Sequence, residues 1–197
     1  MTTSSSEALD AWLEAVLAAP GLTSIRDPAT ARAMLLEDAL RAADLVRAFA
    51  GPVVDVGSGG GSPGIPLAAA LPEREVTLLE AERRKCAFLE RWAPANACVL
   101  WGRAEEQEPD AYGVAVAKAL APPPVAAEWC LALVRPGGAA ILFVGESADL
   151  EAIERVSAQL GGGPPEVHDG LVILPKLQPT PAGFPRRAGI ARKRPLG

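Results

Sequence analysis

Histidine and cysteine, the usual residues of nucleophilic catalysis and transition-metal binding, are scarce in this chain of 197 residues. The one histidine, His168, precedes an Asp-Gly pair, so we interpret it as a turn residue. The three cysteines, Cys86, Cys98 and Cys130, are too few and too scattered for a disulfide framework or a zinc motif. This disfavours a Ser-His-Asp triad and a histidine-based metal site. We expect no metal, and we expect the three thiols to be core or surface groups.

Long apolar runs and a basic amino-terminal segment are also missing. No uninterrupted apolar stretch is long enough to cross a bilayer. Residues 1–20 carry acidic side chains but no Lys or Arg, unlike the start of a signal peptide. Because a chain of 197 residues with 49% apolar content can bury a sizeable core, one compact domain is predicted. We expect a monomer, located in the cytoplasm, with no membrane partner.

The formal net charge of −5 conceals an uneven distribution of charged residues. Residues 181–197 contain no acid and carry +5, so the remaining 180 residues carry −10. One interpretation is a basic tail that binds a polyanion. The other is a mobile end that only keeps the protein soluble, and composition does not separate the two. The basic residues concerned are Arg186, Arg187, Arg192, Lys193 and Arg194.

Two helices are predicted ahead of residue 52. Residues 6–19 have apolar side chains at helical spacing. Asp27-Pro28 is a helix start signal, and residues 29–50 are predicted to form one long helix after it. The predicted division of the chain is a helical cap at 1–51, a core at 52–178 and a basic tail of little regular structure at 179–197.

Beyond residue 52, short apolar strands alternate with helices. This alternation is typical of an α/β fold with a parallel sheet covered on both faces. Strands are predicted at 53–56, 76–80, 98–101, 114–118 and 139–144. Helices are predicted near 64–71, 83–92, 123–134 and 147–160. A strand at 172–177 follows an Asp-Gly turn and is expected to close one edge of the sheet as a hairpin.

The stretch "VVDVGSGGGSPGIPLA" runs from the first strand through a glycine-rich turn into a helix. Ligands of open α/β sheets bind where strands meet such turns. Gly57, Ser58 and Gly59 are therefore candidate ligand contacts, together with Ser62 at the end of the turn. A tight turn with no ligand, a dinucleotide site and an S-adenosylmethionine site all remain compatible with the glycines alone.

Two acidic residues bear on that choice. Glu80, at the end of the second strand, suits the ribose hydroxyls of either ligand. Asp55 is expected at the tip of the first strand beside the ligand, where a carboxylate would repel a pyrophosphate but suit an ammonium and a sulfonium. Pro63 also removes an amide donor that a pyrophosphate would use. The sequence therefore favours S-adenosylmethionine.

The turns after the third and fourth strands complete the candidate site. Ala104 and Glu105 are placed to contact an adenine ring and its amino group. Lys118 ends the fourth strand, where methyltransferases of this architecture place their acceptor. Neither an Asn/Asp-Pro-Pro-Tyr-like motif nor a Pro-Cys pair is present there. This suggests an acceptor atom that has no proton to lose, or an electrostatic contact of Lys118 with ligand or phosphate.

Five phrases together resemble the RsmG (GidB) family of bacterial methyltransferases: "VDVGSGGGSPGIPLA", "LLEAERRKCAFLE", "WGRAEE", "AVAKALAPPPV" and "TPAGFPRRAGIARKRPL". The resemblance implies a Rossmann-like class I S-adenosylmethionine-dependent methyltransferase with a mostly parallel seven-stranded sheet. It implies methylation of guanine N7 in 16S ribosomal RNA, with the RNA or the 30S subunit as partner. It also implies cofactor contacts at Gly57, Ser62, Ala104 and Glu105, and a role for Lys118 near the methionine end or the acceptor.

The chain departs from the family pattern at several positions. Lys118 stands where arginine is usual, Ser62 where Phe or Leu is usual, and Gly183 where the tail normally has an arginine. Leu35 and Ala39 replace the His and Ser of a helical motif. These departures keep two alternatives open: a binding protein that has lost the reaction, and a methyltransferase of the same fold with a small-molecule substrate. Because aromatic residues make up only 5% of the chain, an RNA-stacking platform of the RRM kind is not expected.

Overall fold

The computed structural model describes residues 3–145 and 147–196 as an α/β protein built on a seven-stranded sheet. The strand order is β3-β2-β1-β4-β5-β7-β6. Strands β1 to β5 are parallel, and β7 pairs antiparallel with both β5 and β6. The strands are β1 (Val53–Val56), β2 (Val76–Glu80), β3 (Ala97–Trp101), β4 (Tyr112–Lys118), β5 (Val134–Phe143), β6 (Glu166–His168) and β7 (Leu171–Pro175). The predicted α/β fold, its parallel strands and its closing hairpin are confirmed.

Helices cover both faces of this sheet. They are α1 (Thr3–Ala18), α2 (Pro28–Ala31), α3 (Asp38–Leu40), α4 (Ala43–Arg47), α5 (Gly64–Ala70), α6 (Arg83–Trp92), α7 (Pro123–Leu133), α8 (Leu150–Gln159) and α9 (Ile190–Lys193). The helices before β1 pack with α5 over one face, around the buried Trp12. Helices α7 and α8 pack over the other. Within the described residues, no helix combines the length and the apolar content that spanning a membrane requires.

The second helix of the cap is interrupted, whereas the sequence predicts one helix over 29–50. Asp27 caps α2 by accepting a hydrogen bond from the Thr30 amide at 2.7 Å. A π-helical segment, Arg32–Glu37, then separates α2 from α3. The carbonyls of Met34 and Leu35 in this segment accept hydrogen bonds from side chains of the sheet domain. Apolar periodicity does not report such long-range partners, which is why the prediction failed here.

His168 differs from expectation, because it ends strand β6 and the turn is formed by Asp169 and Gly170, both with positive φ. The tail contains α9, whose Ala191 is fully buried, and Phe184 packs against the core on the α7 face. Outside α9 the described part of the tail has no helix or strand. The tail is packed on the body because its few apolar residues reach an existing core.

Candidate functional site

A cavity of about 730 Å³ opens at the carboxyl ends of β1, β2, β3 and β4. This is the edge of the sheet where the sequence places a ligand, and the volume is within the range of small-molecule sites. The cap, the glycine loop (residues 57–62) and the tail all contribute to its walls. Its lining includes Trp12, Ile25, Met34, Leu35, Gly57, Ser58, Gly59, Gly60, Ser62, Glu80, Glu82, Lys85, Arg103, Ala104, Glu105, Lys118, Leu120, Trp129, Gly189 and Arg192.

The glycine loop requires glycine for two different reasons. Gly57, Gly59 and Gly61 have φ of +73°, +56° and +103°, values that residues with a Cβ atom rarely adopt. A Cβ on Gly57 would also lie 2.2 Å from a methyl carbon of Leu120. At Gly59 the nearest atom to such a Cβ is 3.8 Å away, so the backbone there borders open space. A ligand in the cavity can therefore approach the main chain of the loop closely.

Glu80 holds the loop in place. One carboxylate oxygen accepts a hydrogen bond from the Gly59 amide at 2.8 Å, and the other accepts from the Glu82 amide at 2.8 Å. Each oxygen keeps a further lone pair, and Glu80 lines the cavity. The predicted position of this carboxylate at the ligand is compatible with the structure, and its bond to the loop is an additional role.

Asp55 is not where the sequence interpretation placed it. Its side chain is fully buried beneath the loop and does not line the cavity. One carboxyl oxygen accepts a hydrogen bond from the Gly64 amide at 3.0 Å, and the other has no partner within the described residues. Burial raises the pKa of Asp55 to about 7, against its ordinary value of 3.8. Asp55 thus supports the start of α5, and its charge does not face a ligand. Strand alternation explains this, since neighbouring residues point to opposite faces.

Three hydrogen-bonded contacts join the cap to the loop and to β4. The Trp12 indole donates to the Gly60 carbonyl at 2.9 Å, and the Ser62 hydroxyl donates to the Leu35 carbonyl at 2.7 Å. The Lys118 ammonium donates to the Met34 carbonyl and pairs with the Asp38 carboxylate. Sequence reasoning did not identify Trp12 as a site residue. Asp38, which lies between Leu35 and Ala39 in the chain, was not identified as a site residue either.

The turn after β3 lies against the tail. Ala104 is buried at the cavity wall. Glu105 also lines the cavity, and its carboxylate accepts a hydrogen bond from the Gly189 amide at 3.0 Å. The expected adenine-side residues are therefore brought together, but Glu105 contacts the tail as well.

The five basic residues of the tail lie in three different environments. Arg186 forms a two-point ion pair with Glu128 of α7, at 2.6 and 2.5 Å. Arg192 lines the cavity, donates to the Leu120 carbonyl at 3.3 Å and lies 5.3 Å from the centre of the Trp129 ring. The remaining three, Arg187, Lys193 and Arg194, are exposed.

A family model described as GidB, rRNA small subunit methyltransferase G, matches residues 6–160. The chain belongs to this family. Ribosomal RNA small subunit methyltransferase G of Synechococcus sp. (strain JA-3-3Ab) is 35% identical over 89% of this chain and 78% of its own length. The protein of that name from Symbiobacterium thermophilum is 37% identical over 89% of this chain and 82% of its own. The resemblance stated from the sequence is confirmed.

Solved structures support the same fold. The Thermus thermophilus 16S rRNA N2 G1207 methyltransferase, in complex with AdoMet and guanosine, has a TM-score of 0.51 and 19% identity over 72% of this chain and 40% of its own. A SAM-dependent O-methyltransferase from Thermotoga maritima has a TM-score of 0.56 and 12% identity over 72% of this chain and 65% of its own. These likenesses establish the class I methyltransferase fold of this GidB family member.

The cavity of this family member fits S-adenosylmethionine. Its open side at Gly59 admits a ligand against the backbone, and Glu80 provides hydrogen-bond acceptors for hydroxyl groups. Trp129 lines it, and the buried indole N–H has no acceptor within the described residues. Sequence reasoning missed Trp129, because nothing local marks a residue in the middle of α7 as facing the site.

No histidine or cysteine is among the described residues that line the cavity. His168 lies on the edge strand β6. Cys130 is buried in α7, where burial raises the pKa of its thiol. Cys86 donates a hydrogen bond to the Glu80 carbonyl. The polar groups of the candidate site are therefore mainly backbone groups, carboxylates and cations, set in an apolar and aromatic wall, an arrangement that can bind and orient a ligand.

Proposed function

We propose that this chain transfers a methyl group from S-adenosylmethionine to N7 of a guanine in 16S ribosomal RNA, with the RNA or the 30S subunit as substrate. Its membership of the rRNA small subunit methyltransferase G family carries the proposal. The family assignment favours this function over both the non-catalytic binding protein and the small-molecule methyltransferase. We expect the protein to act as a monomer in the cytoplasm, the location of the proposed substrate.

Different lining residues would bind different parts of the cofactor. Gly57, Ser58 and Gly59 offer a close backbone surface, and Glu80 offers acceptors for ribose hydroxyls. Ala104 and Glu105 offer an apolar wall and an acceptor for adenine. When bound, S-adenosylmethionine supplies an electrophilic methyl group on its sulfonium.

The proposed acceptor needs no general base, which agrees with the lack of histidine and cysteine among the described lining residues. Guanine N7 carries a free lone pair and no proton, so no side chain has to remove one. The contribution of the protein is then to hold the acceptor nitrogen in line with the methyl group, by proximity and orientation. Lys118, fixed by Met34 and Asp38 at the end of β4, is the candidate for positioning this part of the site.

The function is tested by a methyl-transfer assay with labelled S-adenosylmethionine and the two proposed substrates, 30S subunits and naked 16S RNA that lack the modification. We expect label at N7 of one guanine. Methylation at N7 sensitises the RNA strand to chemical scission at that guanine, so the position of the scission identifies the modified nucleotide. A chain that binds S-adenosylhomocysteine in calorimetry but labels neither substrate would instead be a binding protein. The Glu80→Ala variant, which loses the support of the loop, is the negative control.

Lys118 is tested by two substitutions. Lys118→Arg is expected to equal or exceed the parental rate, because arginine can still pair with Asp38. Lys118→Ala removes the ammonium from the end of β4 together with its bonds to Met34 and Asp38. Turnover should fall about 10- to 100-fold at temperatures where the variant is still folded, and the free energy of unfolding should fall by about 1.5–3 kcal/mol, the worth of a charge-assisted hydrogen bond. Lys85→Ala is the matched control, since Lys85 also lines the cavity but pairs with the exposed Glu82. A parental rate for Lys118→Ala would remove Lys118 from the active site.

The exposed tail cations are proposed as phosphate contacts. Replacing Arg187, Lys193 and Arg194 together with glutamine should weaken RNA binding at low salt. The negative slope of log affinity against log salt concentration should become less steep by about 0.7 for each phosphate that is no longer neutralised. The affinity for S-adenosylhomocysteine should not change, because these three side chains do not line the cavity. An unaltered RNA affinity and slope would mean that the tail charges only keep the protein soluble.

A further inference from the structure

Trp101, at the end of β3, is an exposed aromatic residue with a fixed orientation. It is 54% exposed, although the Arg83 guanidinium lies 3.9 Å from the centre of its ring. Its indole N–H donates to the Ala81 carbonyl at 3.0 Å. A hydrogen bond on its edge and a cation on its ring therefore hold the indole in one place while more than half of it stays open to solvent.

This ring lies at the rim of the cavity. Strand β3 is an edge strand, and Trp101 is paired in register with Glu80, whose carboxylate holds the glycine loop. The two residues that follow Trp101, Gly102 and Arg103, line the cavity itself. A group stacked on the indole would therefore lie beside the part of the cavity that Gly102, Arg103 and Glu80 line.

Three arginines, on α6 and in the turn after β3, make no ion pair within the described residues. Arg83, Arg84 and Arg103 are exposed, and none of their guanidinium groups lies within 4 Å of a carboxylate of those residues. The acids nearby are engaged: Glu82 pairs with Lys85, and Glu106 accepts a hydrogen bond from the Arg103 amide. An exposed aromatic face flanked by free guanidinium groups matches a nucleic-acid strand, which presents flat bases and phosphates together.

We propose that the Trp101–Arg83 pair stacks one unpaired base of the substrate RNA next to the catalytic cavity, while Arg84 and Arg103 contact its phosphates. This rests on the proposed function and adds a second RNA surface, separate from the tail. It is a single ring on an edge strand, unlike the multi-aromatic platform that the composition argues against. Splayed bases of a single-stranded loop are the RNA feature that such a ring recognises.

The test measures RNA affinity at several salt concentrations for Trp101→Ala, Trp101→Phe and Arg103→Gln. Trp101→Ala should weaken binding about 5- to 150-fold with an unchanged salt slope, because stacking releases no counterions. Trp101→Phe should bind RNA with most of the parental affinity, because it keeps an aromatic ring at this position. Arg103→Gln should instead flatten the slope by about 0.7. Val167→Ala is the matched control, since Val167 is 53% exposed on β6 at the opposite edge of the sheet.

Parental RNA affinity of Trp101→Ala would overturn the proposal, and so would a weakened affinity accompanied by a flatter slope, which would indicate displaced arginines. Ultraviolet cross-linking of RNA to the unaltered protein gives an independent readout. The cross-link is expected at Trp101 in the tryptic peptide of residues 92–103, and its occurrence only elsewhere would also refute stacking. If the unaltered protein neither binds nor methylates the RNA, the proposed function itself fails. If it does both and Trp101→Ala matches it, only this inference fails.

Discussion

Arg186→Gln is expected to lower the free energy of unfolding by about 3–5 kcal/mol and to weaken cofactor binding. Removing one partner of a buried ion pair leaves the other charge without compensation. In Arg186→Gln the residue left without a partner is Glu128, whose side chain is only 3% exposed. Arg186 also donates to the Arg194 carbonyl at 3.0 Å, so its removal releases the tail segment that carries Gly189 and Arg192 into the cavity wall.

Two further variants separate the cost of an unpaired buried charge from the cost of releasing the tail. Glu128→Gln should cost less, because Arg186 is 18% exposed and can turn its charge to water. The double variant Arg186→Gln, Glu128→Gln should recover part of the stability, since it buries no charge. Arg187→Gln is the matched control: this exposed neighbour should change stability by less than about 0.5 kcal/mol. Urea unfolding and calorimetry with S-adenosylhomocysteine measure both quantities. Equal behaviour of Arg186→Gln and Arg187→Gln would contradict the structural role of the ion pair.

Asp55→Asn is expected to change how stability depends on pH. In the unfolded chain the Asp55 carboxyl titrates near its ordinary pKa of 3.8, whereas burial raises the pKa to about 7 in the folded protein. Between those values the folded state keeps a proton that the unfolded state has lost. The free energy of unfolding of the parental protein should therefore decrease as the pH rises from about 4 to about 7 and level off above 7, by up to about 4 kcal/mol.

The asparagine variant lacks this contribution, so its stability relative to the parental protein should rise across the same interval. Denaturant unfolding at pH 4.5, 6 and 8 measures it. Asp27→Asn is the control: hydrogen bonds from Thr30 lower the pKa of Asp27, so its effect on stability is lost only as the pH falls through that lowered value. Parallel stability curves for the parental and Asp55→Asn proteins would contradict a raised pKa of Asp55 in the folded state. Cofactor affinity should stay near the parental value, because Asp55 does not line the cavity.

Local sequence patterns predicted the sheet well. The apolar runs at β1 and β2 and the glycine loop between β1 and α5 depend on neighbours within a few residues, and the structure has them as predicted. Lys118 ends β4 and lines the cavity. Its pairing with Asp38, 80 residues away in the chain, could not be predicted, because no short-range pattern encodes a pairing across that separation.

The tail illustrates a different limit. Five cations in a proline- and glycine-containing segment were compatible with either a polyanion-binding tail or an end that only keeps the protein soluble, and both interpretations treated the five as one group. In the structure Arg186 pairs with the buried carboxylate of Glu128, and Arg192 contacts the Trp129 ring and the Leu120 carbonyl. The other three basic residues are exposed to solvent. The composition of a segment gives its net charge. It does not tell which of the charged residues form ion pairs inside the protein, because the partners, such as Glu128 on α7, lie far away in the chain.

The cavity wall contributed by Gly189 and Arg192 has a consequence for limited proteolysis. All seven strands of the sheet, the glycine loop, Glu80 and the cap precede the tail in the chain. Without the tail, the side of the cavity next to Glu105 would be open. A cleavage of the chain between β7 and α9 should therefore lower the affinity for the small-molecule donor without removing any strand of the sheet.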